Sequence, residues 1–100
     1  MTEKKTKTTA YDSAEYLDSP EAISAYMDEA LATNDASFIA NAIGTLARAR
    51  GMSQIAKDAG LSRESLYKAM SAGGNPEFGT VLRVMNALDL KFSVAPIAGN

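Results

Sequence analysis

Five stretches of the chain carry apolar residues at helical spacing, and each opens on a capping signal. Ser19-Pro20-Glu21 reads as an N-cap, a first helical residue and an acid placed well for the helix dipole. Ile23, Tyr26, Met27, Ala30 and Leu31 then recur at helical period, which predicts a first helix from Pro20 to about Ala32. Asp35 caps a second, in which Phe38, Ile39, Ala42, Ile43, Leu46 and Ala47 form the apolar stripe and Gly51 marks the end. Ser53 is the expected cap of a short third helix that runs to Ala59 and breaks at Gly60, and Ser62 caps a fourth that reaches about Met70. After a loop at 71–74, Asn75-Pro76-Glu77 repeats the cap, proline and acid signal, and Phe78, Val81, Leu82, Met85 and Leu88 supply the stripe of a fifth helix. Phe38, Ile39, Ile43, Leu46, Phe78, Leu82 and Met85 are assigned to the core.

From Leu90 to Pro96 the period changes to two, with Leu90, Phe92 and Val94 on one side and Lys91, Ser93 and Ala95 on the other. That alternation predicts a short C-terminal β-strand. A lone strand is unstable, so it is expected to pair with the same segment of another copy or with a partner's sheet. The fold class is therefore all-α, five helices followed by that strand, with residues 1–10 as a disordered tail and 11–100 as one domain.

Between Met52 and Met70 the small Ala56 stands four residues before Gly60, and Ile55, Ala59, Leu61 and Leu66 are apolar. Two helices cross closely only where the contact residue is small, and a tight turn needs a residue that tolerates positive φ. The run thus meets the requirements of a helix-turn-helix. Ser62, Arg63, Glu64, Tyr67 and Lys68 are left pointing outward from its second helix, the element that enters the DNA major groove in such motifs. Arg63 is the best candidate base reader, since its planar fork matches guanine O6 and N7. Tyr67 and Lys68 reach bases or phosphates, Ser62 a phosphate, and Glu64 either a cytosine amine or Arg63 and Lys68 themselves. Gly60 as an ordinary helix end with a solvated face beyond it is the plainer alternative.

Charge supports the same region once its distribution is considered. The net charge is −2, but residues 1–35 hold eight acids against three lysines, whereas Arg48, Arg50, Lys57, Arg63 and Lys68 face only Asp58 and Glu64 over residues 48–70. The positive field lies in the middle of an otherwise acidic chain. With neither Cys nor His, disulfides, the usual zinc sites and imidazole or thiol catalysis are excluded. Asp12, Glu15, Asp18, Asp28 and Glu29 pair with no base or glycine-rich phosphate loop, so no catalytic residue, metal or cofactor is expected. No apolar run approaches a membrane span and Met1 to Thr9 lacks the apolar stretch of a signal peptide, so a cytoplasmic location is expected.

Gly60-Leu-Ser-Arg-Glu-Ser-Leu-Tyr-Lys-Ala-Met70, followed by Gly74-Asn-Pro-Glu-Phe78, resembles the addiction-module antidote proteins, the antitoxins of one group of bacterial toxin–antitoxin operons. The resemblance extends through Tyr11-Asp12, Tyr16-Leu17-Asp18, Ala25-Tyr26, Asp35 and Ala47-Arg-Ala-Arg-Gly-Met52, nearly everything from Tyr11 to Val94. It implies a lambda-repressor-like domain that neutralises a small RelE/ParE-type toxin by direct binding, represses the shared operon on double-stranded operator DNA, and acts as a homodimer. It also implies DNA contacts from Ser62, Arg63, Glu64, Tyr67 and Lys68, and phosphate contacts at most from Arg48 and Arg50. The helix before the turn begins near Met52, where a phosphate-binding Gln is common in the wider repressor pattern. Ser53 and Gln54 are the candidates to replace it. The acidic, tyrosine-bearing N-terminal third is expected to meet a basic toxin. The competing expectation is a stand-alone prophage-type transcriptional regulator with no toxin.

Overall fold

The structure, a computed structural model, describes residues 17–97. The expectations for the 1–10 tail and for Tyr11, Asp12, Glu15 and Tyr16 lie outside them. Five helices follow one another: α1 Pro20–Ala32, α2 Ala36–Arg50, α3 Met52–Ala59, α4 Arg63–Ala69 and α5 Phe78–Ala87. No strand occurs among the described residues.

α2 is the central post. Its residues 42–47 are all buried, so it is covered on every side, and its ends are secured by Asp35, whose carboxylate accepts from the Ser37 and Phe38 amides, and by Gly51 at φ 124°. α1 packs on α2 through Met27 and Ala30, with Ser19 accepting from the Ala22 amide at 3.1 Å as its cap. Thr45, the one buried polar side chain among the described residues, donates to the Asn41 carbonyl at 3.1 Å and accepts from Arg48 Nη2 at 3.0 Å, so it carries no unmet bond. On the other side of α2, Ile55, Leu66, Met70 and Val84 join α3, α4 and α5 to Ile43 and complete a continuous core. α3 rests chiefly on α5 and α4.

Three sequence expectations need correction. Ser53 does not cap α3: the helix starts at Met52, two residues before a Ser53 cap would allow, Gly51 occupies the cap position with no side-chain bond, and Met52 is already buried. Burial of Met52 draws the first turn forward, leaving Ser53 exposed on its surface. The Asn75-Pro76 signal does not open α5 either. Gly74 lies against the Ala69 and Lys68 carbonyls, the chain runs on extended past the end of α4, and Glu77 is the cap, again without a side-chain bond. The C-terminal strand is absent. Residues 91–96 form neither helix nor strand, no backbone hydrogen bond among the described residues involves them, and a strand without a ladder partner is not a strand. The alternation holds only in part: Leu90 and Phe92 pack against the core while Lys91 and Ser93 are exposed, but Val94, expected on the side of Leu90 and Phe92, is 97% exposed.

The core assignment is right for Ile43, Leu46 and Met85, which are buried, and for Ile39, which packs on the core half-buried. It fails for Phe38 (53% exposed), Phe78 (68%) and Leu82 (43%). Each lies at the margin of its helix's stripe, where a small domain no longer has facing elements to cover it.

Gly44 marks a very close approach between α2 and the end of α4. A Cβ there would overlap the Met70 carbonyl oxygen, so α2 and the end of α4 touch backbone to side-chain-free backbone. Gly44→Ala is expected to destabilise the domain by about 1–3 kcal/mol, whereas Gly73→Ala, which meets nothing within 4 Å, leaves stability unchanged. Urea unfolding of the two variants measures the difference.

Candidate nucleic-acid interface

α4 has only seven residues, too few to be stable alone, and it is held by what surrounds it. At its start, Gly60 adopts φ 75°, ψ 31° and ends α3: its own amide donates to the Lys57 carbonyl at 3.1 Å, and the Leu61 amide donates to the Ala56 carbonyl at 2.8 Å. Ser62 then turns the chain into α4, accepting from the Ser65 amide at 3.0 Å. Ala56 (2% exposed) provides the close crossing of the two helices. Leu66 and Met70 are sunk in the core, and Ser37 Oγ donates to the Ala72 carbonyl to fasten the loop beyond. The short helix is thereby fixed at both ends and along its inner face.

What remains outside is the predicted face. Arg63, Glu64, Ser65, Tyr67 and Lys68 are exposed, Tyr67 at 58%. Among the described residues neither Arg63 nor Lys68 has an ion pair or hydrogen bond through its side chain, and Glu64 is bonded to neither. These cations are therefore available to an anion from outside. Ser62 is the cap expected of it, its hydroxyl accepting from the Ser65 amide and donating to Ser65 Oγ at 2.9 Å. Ser65, which the sequence reading passed over, shares the exposed face with Lys68 and lines with it a shallow hollow bounded by Gly73, Gly74 and Asn75. Its spacing of three from both Ser62 and Lys68 was the available signal.

The α3 candidates are less open. Ser53 is exposed and free of any cap role, but Gln54 Nε2 donates to Asp58 Oδ1 at 2.9 Å, one turn along the same helix. Arg48 is engaged with Thr45. Arg50 has a structural task the sequence did not disclose: its guanidinium donates to the Leu88 carbonyl at 3.1 Å and lies 3.7 Å from Asp89, joining the end of α2 to the end of α5. Asp89 sits at φ 63°, a conformation that Asp and Asn tolerate better than most residues.

A second surface lies on the opposite charge. Asp18, Glu21, Asp28 and Glu29 are exposed on or beside α1. Ile23, Met27 and Leu31 form the floor of a groove of about 610 Å³ between α1 and residues 88–93.

The described residues form a small all-helical domain that presents Arg63 and Lys68 on the outer face of a short helix. Within that class the chain belongs to the family described as "Probable addiction module antidote protein", which matches residues 7–96. A protein of Haemophilus influenzae described as uncharacterized is 55% identical over 84 residues, covering 84% of this chain and 87% of that protein. No solved structure matches the chain.

The division between cap and exposed cation is measurable in stability alone. Ser62→Ala is expected to cost about 1 kcal/mol through the lost cap, and Arg63→Ala to stay within about 0.5 kcal/mol of the parent because nothing in the fold uses it. Thermal unfolding of the isolated variants tests both.

Proposed function

We propose that the protein is an antitoxin that neutralises a small RelE/ParE-like toxin by direct binding and represses its own operon by laying α4 in the major groove of operator DNA. The observation that carries this reading is membership of the antidote family across residues 7–96, with the unpaired α4 cations supplying the DNA half. α3 and α4 act as a helix-turn-helix of the lambda-repressor kind. Arg63 reads a guanine edge, Tyr67 and Lys68 reach neighbouring bases or phosphates, and Ser53 and Gln54 approach the backbone from α3. Two copies place two α4 helices about 34 Å apart, so the operator is a rough palindrome with half-sites one helical turn apart.

The toxin is met by the acidic side. The five acids of residues 17–35 face no basic residue of that stretch, and opposite potentials accelerate encounter with a basic partner. The groove beside α1 offers apolar floor for an anchor side chain. With both partners in the cytoplasm, so is the protein.

Three results test this. Expression of the small open reading frame beside this gene is expected to arrest growth, and co-expression of this chain to restore it; a harmless neighbour overturns the antitoxin reading. Arg63→Ala is expected to cost about 1–3 kcal/mol on the operator and to relax preference at one base position; an equal loss on all sequences makes Arg63 a phosphate contact. Asp28→Lys with Glu29→Lys is expected to slow association with the toxin about tenfold or more at low salt while leaving DNA binding in place; surface plasmon resonance at two salt concentrations reads the effect.

A further inference from the structure

The groove between α1 and residues 88–93 combines three features that the fold itself leaves unused. The first is a row of apolar side chains. Ile23, Met27 and Leu31 follow one another at every fourth residue of α1 and so lie on one face of it, Met27 buried and the two flanking residues half-buried. Successive members of such a row stand ~6 Å apart along a helix axis, and alternate side chains of an extended strand stand ~6.6 Å apart. A strand laid along α1 therefore sets three apolar residues on the three floor positions in register.

The second feature is charge. Asp18 and Asp28 line the groove, both are exposed, and among the described residues neither has an ion pair. Asp89 and Arg50 also reach it but lie 3.7 Å from each other, which leaves Lys91 as the remaining cation of the lining. The third feature is the opposite wall. Lys91, Phe92 and Ser93 belong to a run, residues 91–96, whose backbone makes no hydrogen bond among the described residues, and which holds Phe92 and Val94, residue types favoured in strands. Free amides and carbonyls beside a groove are a template for a further strand. A helix would match the apolar row equally well, but its own backbone is satisfied and it has nothing to give this wall.

We propose that the groove takes an extended segment of a partner protein in which apolar and basic residues alternate. Its apolar side chains sit on Ile23, Met27 and Leu31, its backbone pairs with residues 91–95, and its long basic side chains, which stand away from the floor, bend to Asp18 and Asp28 at the rim. The inference rests on the reading of the acidic side as the toxin's and gives that partner a form: an open sheet edge carrying this alternation.

The probe is a fluorescently labelled acetyl-KVKVKVK-amide peptide, titrated with the full chain at low salt and read by anisotropy. Saturable one-to-one binding is expected, and the isomer VKKVKKV, which moves the same residues to helical spacing, is expected to bind at least about tenfold more weakly. Successive amides of a strand point to opposite edges, so methylating the backbone nitrogens of all valines or of all lysines is expected to abolish binding in one isomer and spare it in the other. In the complex, alternate amides among residues 91–95 are expected to exchange hydrogen about tenfold or more slowly than in the free chain. Asp18→Asn with Asp28→Asn, both exposed, is expected to weaken binding about tenfold at low salt with the circular dichroism unchanged. No binding, equal binding of the two spacings, a like response of the two methylated isomers, unprotected amides at 91–95 or an indifferent double variant each overturns the proposal. Displacement of the probe by a peptide of residues 1–16 overturns it and gives the groove to the chain's own segment; affinity that falls as the chain is concentrated overturns it in favour of a second copy. A harmless neighbouring gene product beside intact probe binding defeats the antitoxin reading alone, and a toxin neutralised by a chain that ignores the probe defeats this one alone.

Discussion

The backbone contact between Gly44 and Met70 is the constraint on which the rest of the structure depends. A seven-residue helix has almost no stability of its own, so α4 exists in its observed place because a longer helix accepts its end at van der Waals range. Leu66 and Met70 then drive the inner face into the core, and the turn at Gly60 fixes the opposite end. Position and exposure of Arg63, Tyr67 and Lys68 follow from these three fixings and from nothing the outer residues do themselves. Scaffold and exposed face are thus separable, so the outer residues can change without loss of fold.

The helices were legible because their caps and their periodicity agree. Ser19-Pro20, Asp35, Gly60 and Ser62 each combine a local backbone requirement with the start or end of an apolar stripe, and α1, α2 and the α3–α4 turn come out where those signals put them. Two places misled. At Ser53 and at Asn75-Pro76 the local signal was good but burial of Met52 and the wedging of Gly74 under α4 decided the boundary instead. Beyond Leu90 the period-two pattern marked Leu90 and Phe92 as core-facing but carried the exposed Val94 with them, and it could not report pairing, a fact about a second strand.

Of the candidate site, the outward face of α4 was readable because every inward position was already claimed by an apolar residue. The engagement of Ser62 with Ser65, of Gln54 with Asp58 and of Arg50 with Leu88 and Asp89 was not, since each depends on a rotamer or on a partner far along the chain. The signs of the two surfaces were readable from the running charge. Their arrangement on separate elements, acids with α1 and cations with α3 and α4, came only with the fold.

The burial of α2 on every side has a consequence for how the domain breathes. Its amides at 42–47 can meet solvent only when the neighbours on both flanks have left, so they should exchange hydrogen at the rate of global opening and form the slowest-exchanging unit of the chain. α4 closes one flank of that post through Leu66 and Met70, both fully buried, so its departure uncovers part of the same core and its amides are tied to the opening of the post rather than free to fray.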